Sequence, residues 1–265
     1  MVILETKGLT RRFDGHTAVD ALTISIEAGE VFGLLGPNGA GKTTTIKMLT
    51  TLLPPTSGTA SVAGFDIVRE AREVRRVIGY VPQLVSADGS LTGYENLLIF
   101  AKLYDLPRAE RESRIRHALV LMGLAEAADR MVREYSGGMI RRLEIAQSML
   151  HRPRVLFLDE PTVGLDPVAR RAVWDHIEQL RREYGTTILM TTHLMEEADH
   201  LCNRVAIMHL GRVAAIGSPA TLKASLGGNE TTLDDVFVHY AGDTLDSGGT
   251  YRETSRTRRT AQRLG

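Results

Sequence analysis

The sequence has little of several things, and each shortage excludes a class of protein. One cysteine, Cys202, stands among 265 residues, which excludes an internal disulfide framework and a multi-cysteine zinc site. We expect Cys202 to be a small buried hydrophobic residue. No apolar run approaches the roughly 18 residues of a membrane span. Lysine and arginine total 32, as do aspartate and glutamate, so net charge gives no support for nucleic-acid binding.

The remaining composition, 43% hydrophobic and 24% charged, is that of an ordinary globular protein. A chain of this length can form one large α/β domain or two small ones. The first residues, Met1 to Lys7, contain an early acid and no long apolar core, so we expect no signal peptide. We therefore expect the chain to be made and kept in the cytosol.

The most informative stretch is a glycine-rich loop with the pattern G-x-x-x-x-G-K-S/T. It consists of Gly36, Pro37, Asn38, Gly39, Ala40, Gly41, Lys42 and Thr43. Apolar residues 31–35 before it predict a buried strand, and residues 44–53 after it predict a helix. In this context the glycines bring N–H groups to phosphate oxygens, and the helix adds its positive dipole end. Lys42 would then contact the β- and γ-phosphates, and the Thr43 hydroxyl would ligate Mg²⁺.

The rest of the chain predicts the surroundings of this loop. Residues 77–81, 155–158 and 186–192 predict buried strands that alternate with helical segments, which indicates an α/β fold with a mostly parallel sheet. Residues 2–32 predict antiparallel strands, and residues 84–150 take helical spacing and predict a helical insertion. Ligands bind at the carboxyl ends of such parallel strands. The residues at these ends are Gly36, Gln83, Asp159 and His193.

The end of the chain changes character. Residues 204–208 and 212–216 predict a hairpin around Gly211. Residues 242–265 have too little apolar content to fold alone and are expected to be a disordered tail. A second interpretation is that the arginines of this tail contact anionic lipid headgroups.

Polar residues at the strand ends indicate catalysis. Asp159 follows four apolar residues and is placed to hold Mg²⁺. Glu160 is expected to polarise the water that attacks the γ-phosphorus. His193 either senses the γ-phosphate or orients the water. Gln83 would reach the metal or the attacking water through its amide.

Two further features each have two interpretations. Phe13 precedes an Asp-Gly turn, and its ring either stacks on a nucleobase or packs in the core of the antiparallel strands. Ser136, Gly137 and Gly138 precede a helix and form either a second anion site or an ordinary helix cap. One phosphate does not obviously need two such sites from one chain.

Together these motifs resemble those of an ATP-binding cassette (ABC) protein, the nucleotide-binding subunit of an ABC transporter. The resemblance runs from about Met1 to Pro219, with the motifs in the family's order. The glycine-rich loop resembles the Walker A motif, and residues 155–159 resemble Walker B. Residues 135–139, Tyr-Ser-Gly-Gly-Met, resemble the family signature.

Single residues also match the family pattern. Gln83 stands where the family has its Q-loop glutamine, and Glu160 stands where it has the catalytic carboxylate. Asp166 ends a segment that resembles the D-loop, and His193 resembles the switch histidine. Phe13 falls where the family has the aromatic ring that stacks on adenine, which favours that interpretation.

The resemblance implies a P-loop NTPase core with an antiparallel β-subdomain and a helical subdomain at about residues 84–150. It implies an ABC ATP-binding domain of residues 1–220, a C-terminal extension of residues 221–241, and ATP and Mg²⁺ as cofactors. The implied ATP contacts are Phe13, Gly36, Pro37, Asn38, Gly39, Ala40, Gly41, Lys42, Thr43, Thr44, Ser136, Gly137, Gly138 and Asp166. The implied metal contacts are Thr43, Gln83 and Asp159.

The family also implies partners. Two copies pair head to tail, each ATP lying between the Walker A of one copy and the signature of the other. A separate transmembrane permease subunit is implied, with this chain peripheral on the cytoplasmic face of the cell membrane. Tyr135 and Met139 replace the usual leucine and glutamine. With residues 91–97 and 233–237, they resemble the drug-resistance (daunorubicin-type) branch of exporters, which export drugs or other hydrophobic compounds.

Two rival functions are weaker. Soluble ABC ATPases of translation or DNA repair usually carry two cassettes or a long coiled-coil insertion, and this sequence shows neither. A nucleotide-gated binding subunit that barely hydrolyses ATP is disfavoured by the presence of Glu160 and His193.

Overall fold

The computed structural model describes residues 1–227 and 231–241 as two β-sheets and their surrounding helices. The predicted tail, residues 242–265, lies outside the described residues. The strands are β1 (Val2–Phe13), β2 (His16–Leu22), β3 (Ser25–Glu27), β4 (Val31–Leu35), β5 (Ser57–Val62), β6 (Phe65–Asp66), β7 (Ile78–Val81), β8 (Val155–Asp159), β9 (Thr187–Thr192), β10 (Arg204–His209) and β11 (Arg212–Gly217). The helices are α1 (Lys42–Leu49), α2 (Ala71–Val77), α3 (Gly93–Leu103), α4 (Arg108–Leu121), α5 (Gly137–Met149), α6 (Pro167–Tyr184), α7 (Met195–Leu201), α8 (Pro219–Ala224) and α9 (Leu233–Ala241).

The central sheet has the strand order β11-β10-β4-β9-β8-β7. The pairs from β10 to β7 are parallel, and only the β10–β11 pair is antiparallel. Every residue of β4, β8 and β9 is buried, as expected for parallel strands covered on both faces. Since these strands run in the same direction, their carboxyl ends lie along one edge of the sheet.

A smaller antiparallel sheet packs beside the central one. Strand β1 pairs with β2, β3 and β5. Leu4 lies opposite Val62 on β5 and opposite Ile26 on β3, and all three side chains are fully buried. They join Phe32 of β4 and Ile46 of α1 in one apolar cluster. This cluster therefore attaches the antiparallel sheet to the strand and helix that flank the glycine-rich loop.

Helices α3, α4 and α5 form the predicted helical insertion. Apolar residues at helical spacing, among them Leu97, Ile115 and Leu143, are fully buried between them. α5 also packs against β7 and α6, so the insertion is joined to the central sheet mainly through this helix. None of the helices in the described ranges is long and apolar enough to cross a bilayer.

Two sequence predictions about local structure are confirmed, and one boundary is wrong. β10 and β11 form the predicted hairpin, and Gly211 in its turn has φ 79°. Cys202 is buried, which raises the pKa of its thiol. The helix predicted over residues 44–53 ends at Leu49, because the Thr50 hydroxyl bonds back to the Ile46 carbonyl and Thr51 turns left-handed with φ 64°.

The contact between β7 and α5 requires a glycine. A Cβ added at Gly79 would lie 2.5 Å from the Ser148 carbonyl oxygen, so Gly79→Ala should lower the free energy of unfolding by about 2 kcal/mol. Gly89→Ala is the matched control, because its added Cβ would lie 3.6 Å from Arg133. The control should change stability by no more than about 0.5 kcal/mol. Urea denaturation measures both, and equal midpoints for the two variants would contradict this account.

Candidate functional site

The glycine-rich loop joins β4 to α1 and is held tightly between neighbouring strands. A Cβ added at Gly36 would lie 2.4 Å from the Met208 carbonyl oxygen, and one added at Gly41 would lie 2.4 Å from the Ala18 carbonyl oxygen. Gly41 also has φ 100°, which L side chains rarely adopt. The loop therefore brings its backbone to the start of α1, where the first N–H groups have no partner within the helix.

Lys42 folds back over this loop. Its side chain is only 4% exposed, and its ammonium donates to the carbonyl oxygens of Gly36, at 2.8 Å, and Pro37, at 3.1 Å. The same nitrogen lies 3.3 Å from Oε1 of Glu160. A buried cation is thus fixed where the loop could present it to a phosphate.

Asp159 ends β8 and lies beside α1. Its Oδ1 accepts hydrogen bonds from the hydroxyls of Thr43, at 3.0 Å, and Thr191, at 2.6 Å. A hydroxyl and a carboxylate side by side are the hard oxygen ligands that Mg²⁺ prefers, so these residues fit that ion. The described residues contain no group of three or more His, Cys, Asp or Glu that could hold a metal. Mg²⁺ here would need phosphate and water oxygens to complete its shell.

Glu160 is the point at which the predicted catalytic residues meet. Its Oε1 lies 3.3 Å from Lys42 Nζ and 3.3 Å from His193 Nδ1, and its Oε2 accepts from Gln83 Nε2 at 3.1 Å. Glu160 has φ 49°, and its N–H donates to the hydroxyl of Thr191 at 3.0 Å. A left-handed, non-glycine residue with a buried carboxylate is the kind of strained conformation often found at functional sites.

Ser136 is the N-cap of α5. Its hydroxyl accepts from the Met139 N–H at 3.3 Å, so the helix-cap interpretation is confirmed, and anion binding in addition remains a prediction. Tyr135, which replaces the usual leucine, is buried and donates its hydroxyl to the Ala127 carbonyl at 2.6 Å. A Cβ at Gly93 would lie 2.2 Å from that hydroxyl. Glycine at position 93 therefore makes room for the tyrosine.

Gly137 and Gly138 pack against the start of α6. An added Cβ would lie 3.3 Å from Leu165 in the first case and 3.0 Å from Ala169 in the second. Asp166 is the N-cap of α6, and its Oδ1 accepts from the Ala169 N–H at 2.9 Å. The signature residues and the predicted D-loop aspartate therefore lie close together at the start of α6. The contacts given for them involve α6 and the segment before it, and not the glycine-rich loop.

Two other predicted nucleotide contacts lie in different surroundings. Phe13 is 41% exposed and has the Arg11 guanidinium 4.5 Å from its ring centroid. The ring is therefore outside the core of the antiparallel sheet. Thr44 is half-buried in the first turn of α1.

Among the buried polar residues near the site that the sequence reasoning missed is one on α7. Glu197 on α7 is 1% exposed, and its Oε1 accepts from the Thr162 hydroxyl at 2.6 Å and from Trp174 Nε1 at 3.0 Å. It joins the loop after Glu160 to the helix after His193. Its position three residues after Leu194 and four before Leu201 is on the apolar stripe of the helix, and that spacing could have revealed it.

Comparison with known proteins agrees with this geometry. The family described as ABC transporter matches residues 19–163. The daunorubicin/doxorubicin resistance ATP-binding protein DrrA of Streptomyces peucetius is 48% identical over 230 residues, 87% of this chain and 69% of that protein. The Nod factor export ATP-binding protein I of Ralstonia nicotianae is 44% identical over 220 residues, 83% of this chain and 68% of that protein. A solved ATP-binding subunit of an ABC transporter matches with a TM-score of 0.79 and 31% identity, covering 90% of this chain and 99% of that one.

The chain therefore belongs to the ABC transporter family, and it is an ATP-binding and ATP-hydrolysing subunit. The predicted P-loop NTPase fold is confirmed by the solved structure. The predicted likeness to the drug-resistance branch is confirmed by the relatives.

Loss of the Glu197 carboxylate should destabilise the protein. Glu197→Leu leaves the buried donors of Thr162 and Trp174 without an acceptor, which should lower the free energy of unfolding by about 3 kcal/mol. Trp174 is the single tryptophan, so its fluorescence reports the lost hydrogen bond directly. The control is Glu196→Leu, since the Glu196 side chain is 73% exposed and lies 3.9 Å from Arg170. Equal stability of the two variants would refute the role of Glu197.

Proposed function

We propose that this chain powers an exporter of drugs or other hydrophobic compounds, together with a separate transmembrane permease subunit. It would act as a peripheral protein on the cytoplasmic face of the cell membrane. Two names support export: one relative is a daunorubicin and doxorubicin resistance protein, and another exports Nod factor. The solved neighbour is described as a subunit of a transporter, which supports a partner. We also propose the division into residues 1–220, 221–241 and 242–265.

The glycine-rich loop and α1 would bind the triphosphate of ATP. The backbone N–H groups of residues 36 and 38–43 surround the phosphates, and the helix dipole favours their charge. Lys42 exchanges its two carbonyl partners for the β- and γ-phosphates, and Thr44 adds a contact in the first turn. Phe13 stacks on adenine through its exposed ring. Mg²⁺, held by Thr43, Asp159 and Gln83, would neutralise the developing phosphate charge.

The convergence of three side chains on Glu160 is the observation that carries the hydrolytic assignment. The Glu160 carboxylate would take a proton from the attacking water as general base. His193 and Gln83, at 3.3 Å and 3.1 Å from its two oxygens, would hold it and the water in line with the γ-phosphorus. Lys42 would stabilise the charge on the γ-phosphoryl group.

The second half of each site would come from another copy of the chain. Ser136, Gly137 and Gly138 offer a hydroxyl and N–H groups at the N-terminus of α5, which is 13 residues long. In a twofold head-to-tail dimer they would contact the γ-phosphate that the second copy binds. Asp166 of the second copy would lie near the same phosphate. ATP would favour the closed dimer, and hydrolysis would remove the bridging phosphate and allow opening.

Glu160→Gln tests the hydrolytic role. Glutamine keeps the shape of the side chain but is too weak a base, so ATP turnover should fall by about 100-fold or more while ATP binding persists. Phosphate release measures turnover, and light scattering with ATP should detect a trapped closed dimer. Glu196→Gln, on exposed surface, is the matched control and should keep normal turnover. Normal turnover in Glu160→Gln would remove Glu160 from this role.

Ser136→Arg tests the split site. The bulky side chain should block the partner's γ-phosphate, so ATP-dependent dimerisation should be lost while each separate chain still binds ATP. Ser113→Arg, on the exposed surface of α4, controls for the added arginine and should dimerise normally. Intact dimerisation of Ser136→Arg with ATP would show that the signature residues do not contact the nucleotide.

A further inference from the structure

A buried ion pair on α5 clamps the loop that carries Gln83. The side chains of Arg141 and Glu144 are 7% and 2% exposed, and Arg141 Nη1 lies 3.1 Å from Glu144 Oε2. The Arg141 guanidinium donates to the Pro82 carbonyl at 2.7 Å and to the Gln83 carbonyl at 3.1 Å. Glu144 Oε1 accepts from the Ser86 hydroxyl at 3.0 Å and from the Ser86 N–H. Both charges are therefore bonded to the same short loop.

A pair buried in this way is poor evidence for stability. Desolvation of two charges offsets most of their attraction, and apolar residues in their place are often equally stable. The distribution of the hydrogen bonds indicates another role. Between them, the two side chains grip the loop at three points: Pro82, Gln83 and Ser86. A planar guanidinium with forked donors fixes direction as well as distance.

The clamp connects the two ends of the proposed mechanism. On one side, the Gln83 amide reaches Glu160 Oε2 at 3.1 Å, while its backbone carbonyl is held by Arg141. On the other side, Arg141 belongs to the helix that begins at the Ser136 cap. Because an α-helix moves as a unit, any movement of the signature residues at the start of α5 also moves Arg141 and the Gln83 backbone bonded to it.

We propose that Arg141, oriented by Glu144, is a positioning residue for hydrolysis. It fixes the Gln83 backbone so that the side-chain amide lies at Glu160. When the signature residues bind ATP and α5 tilts, the hydrogen bonds of Arg141 would move the Gln83 backbone with the helix. This inference rests on the proposed role of Gln83. Arg141 itself contacts neither the glycine-rich loop nor Glu160 in the contacts described, so it would act through Gln83.

The neighbouring arginine provides a matched control. Arg142, on the same helix, also donates to main-chain carbonyls, those of Met122 at 2.8 Å and Gly123 at 3.4 Å. These carbonyls belong to the helical insertion and not to the Gln83 loop. Arg142→Gln therefore removes a similar set of hydrogen bonds without touching the proposed path.

The test is a double-mutant cycle on ATP hydrolysis by the full chain. Arg141→Gln should lower kcat about tenfold and change KM for ATP less than about threefold, whereas Arg142→Gln should leave kcat within about twofold. Gln83→Ala should also lower kcat. In the Gln83→Ala background, Arg141→Gln should have little further effect, because the two residues act in series. A purely structural arginine would lower kcat by the same factor in both backgrounds.

Each outcome decides the inference. If Gln83→Ala keeps full kcat, the proposed role of Gln83 fails and the inference fails with it. If Gln83→Ala lowers kcat but Arg141→Gln does not, or if their effects multiply, only the inference about Arg141 fails. If Arg141→Gln does not fold, Arg141→Lys replaces it in the cycle. Lysine keeps a charge beside Glu144 but lacks the fork, so the same non-multiplicative loss of kcat is expected.

Discussion

A buried cation and a buried carboxylate, Lys42 and Glu160, lie 3.3 Å apart, and the rest of the site depends on keeping both satisfied. An unpaired charge at such depth is strongly unfavourable. Lys42 is held by loop carbonyls, and Glu160 accepts a hydrogen bond from Gln83 and has His193 Nδ1 3.3 Å away. In the proposed ATP complex, a phosphate that drew Lys42 away would take the ion-pair partner of Glu160, which would then need a new one. A polarised water molecule would meet that need.

The parallel sheet makes this convergence possible. The partners of Glu160 come from segments far apart in sequence, and they meet because β4, β7, β8 and β9 all end at one edge. Glu160 follows β8 with a left-handed backbone, and its carboxylate lies there beside Lys42, Gln83 and His193. Burial of Tyr80 on β7, together with the nearby Asp159 carboxylate, raises the pKa of that tyrosine to about 12. It therefore stays neutral and adds no charge to the site.

The sequence was sufficient to predict what strand ends bring together. An apolar run followed by a polar residue predicts its position well: Gln83, Glu160 and His193 meet as expected. Lys42 of the glycine-rich loop joins them, and Asp159 lies beside Thr43. The sequence was insufficient to predict contacts that depend on how distant segments pack together. Arg141, Glu144 and Glu197 were missed because their partners lie on distant segments of the chain, although the apolar spacing around Glu197 indicates a buried position. The early end of α1 depends on a left-handed threonine that no motif marks. The exposure of Phe13 removes the interpretation that its ring packs in the core, and stacking on a nucleobase stays a prediction.

The central claim is that each hydrolytic site is shared between two copies of the chain, and mixing two inactive variants tests it most directly. Lys42→Ala removes the glycine-rich half of a site, and Ser136→Arg removes the signature half. In a mixed dimer, the intact loop of one chain therefore meets the intact signature of the other and forms one complete site. The introduced arginine faces the other site, which lacks Lys42 and holds no ATP. Random pairing predicts ATPase activity up to about a quarter of that of the unmodified protein. In the control, the double variant is mixed with unmodified chain: the mixed dimers have no intact site, so activity should fall to about the quarter that comes from unmodified dimers, against about a half if sites were not shared. A mixture no more active than its separate components would contradict the shared site.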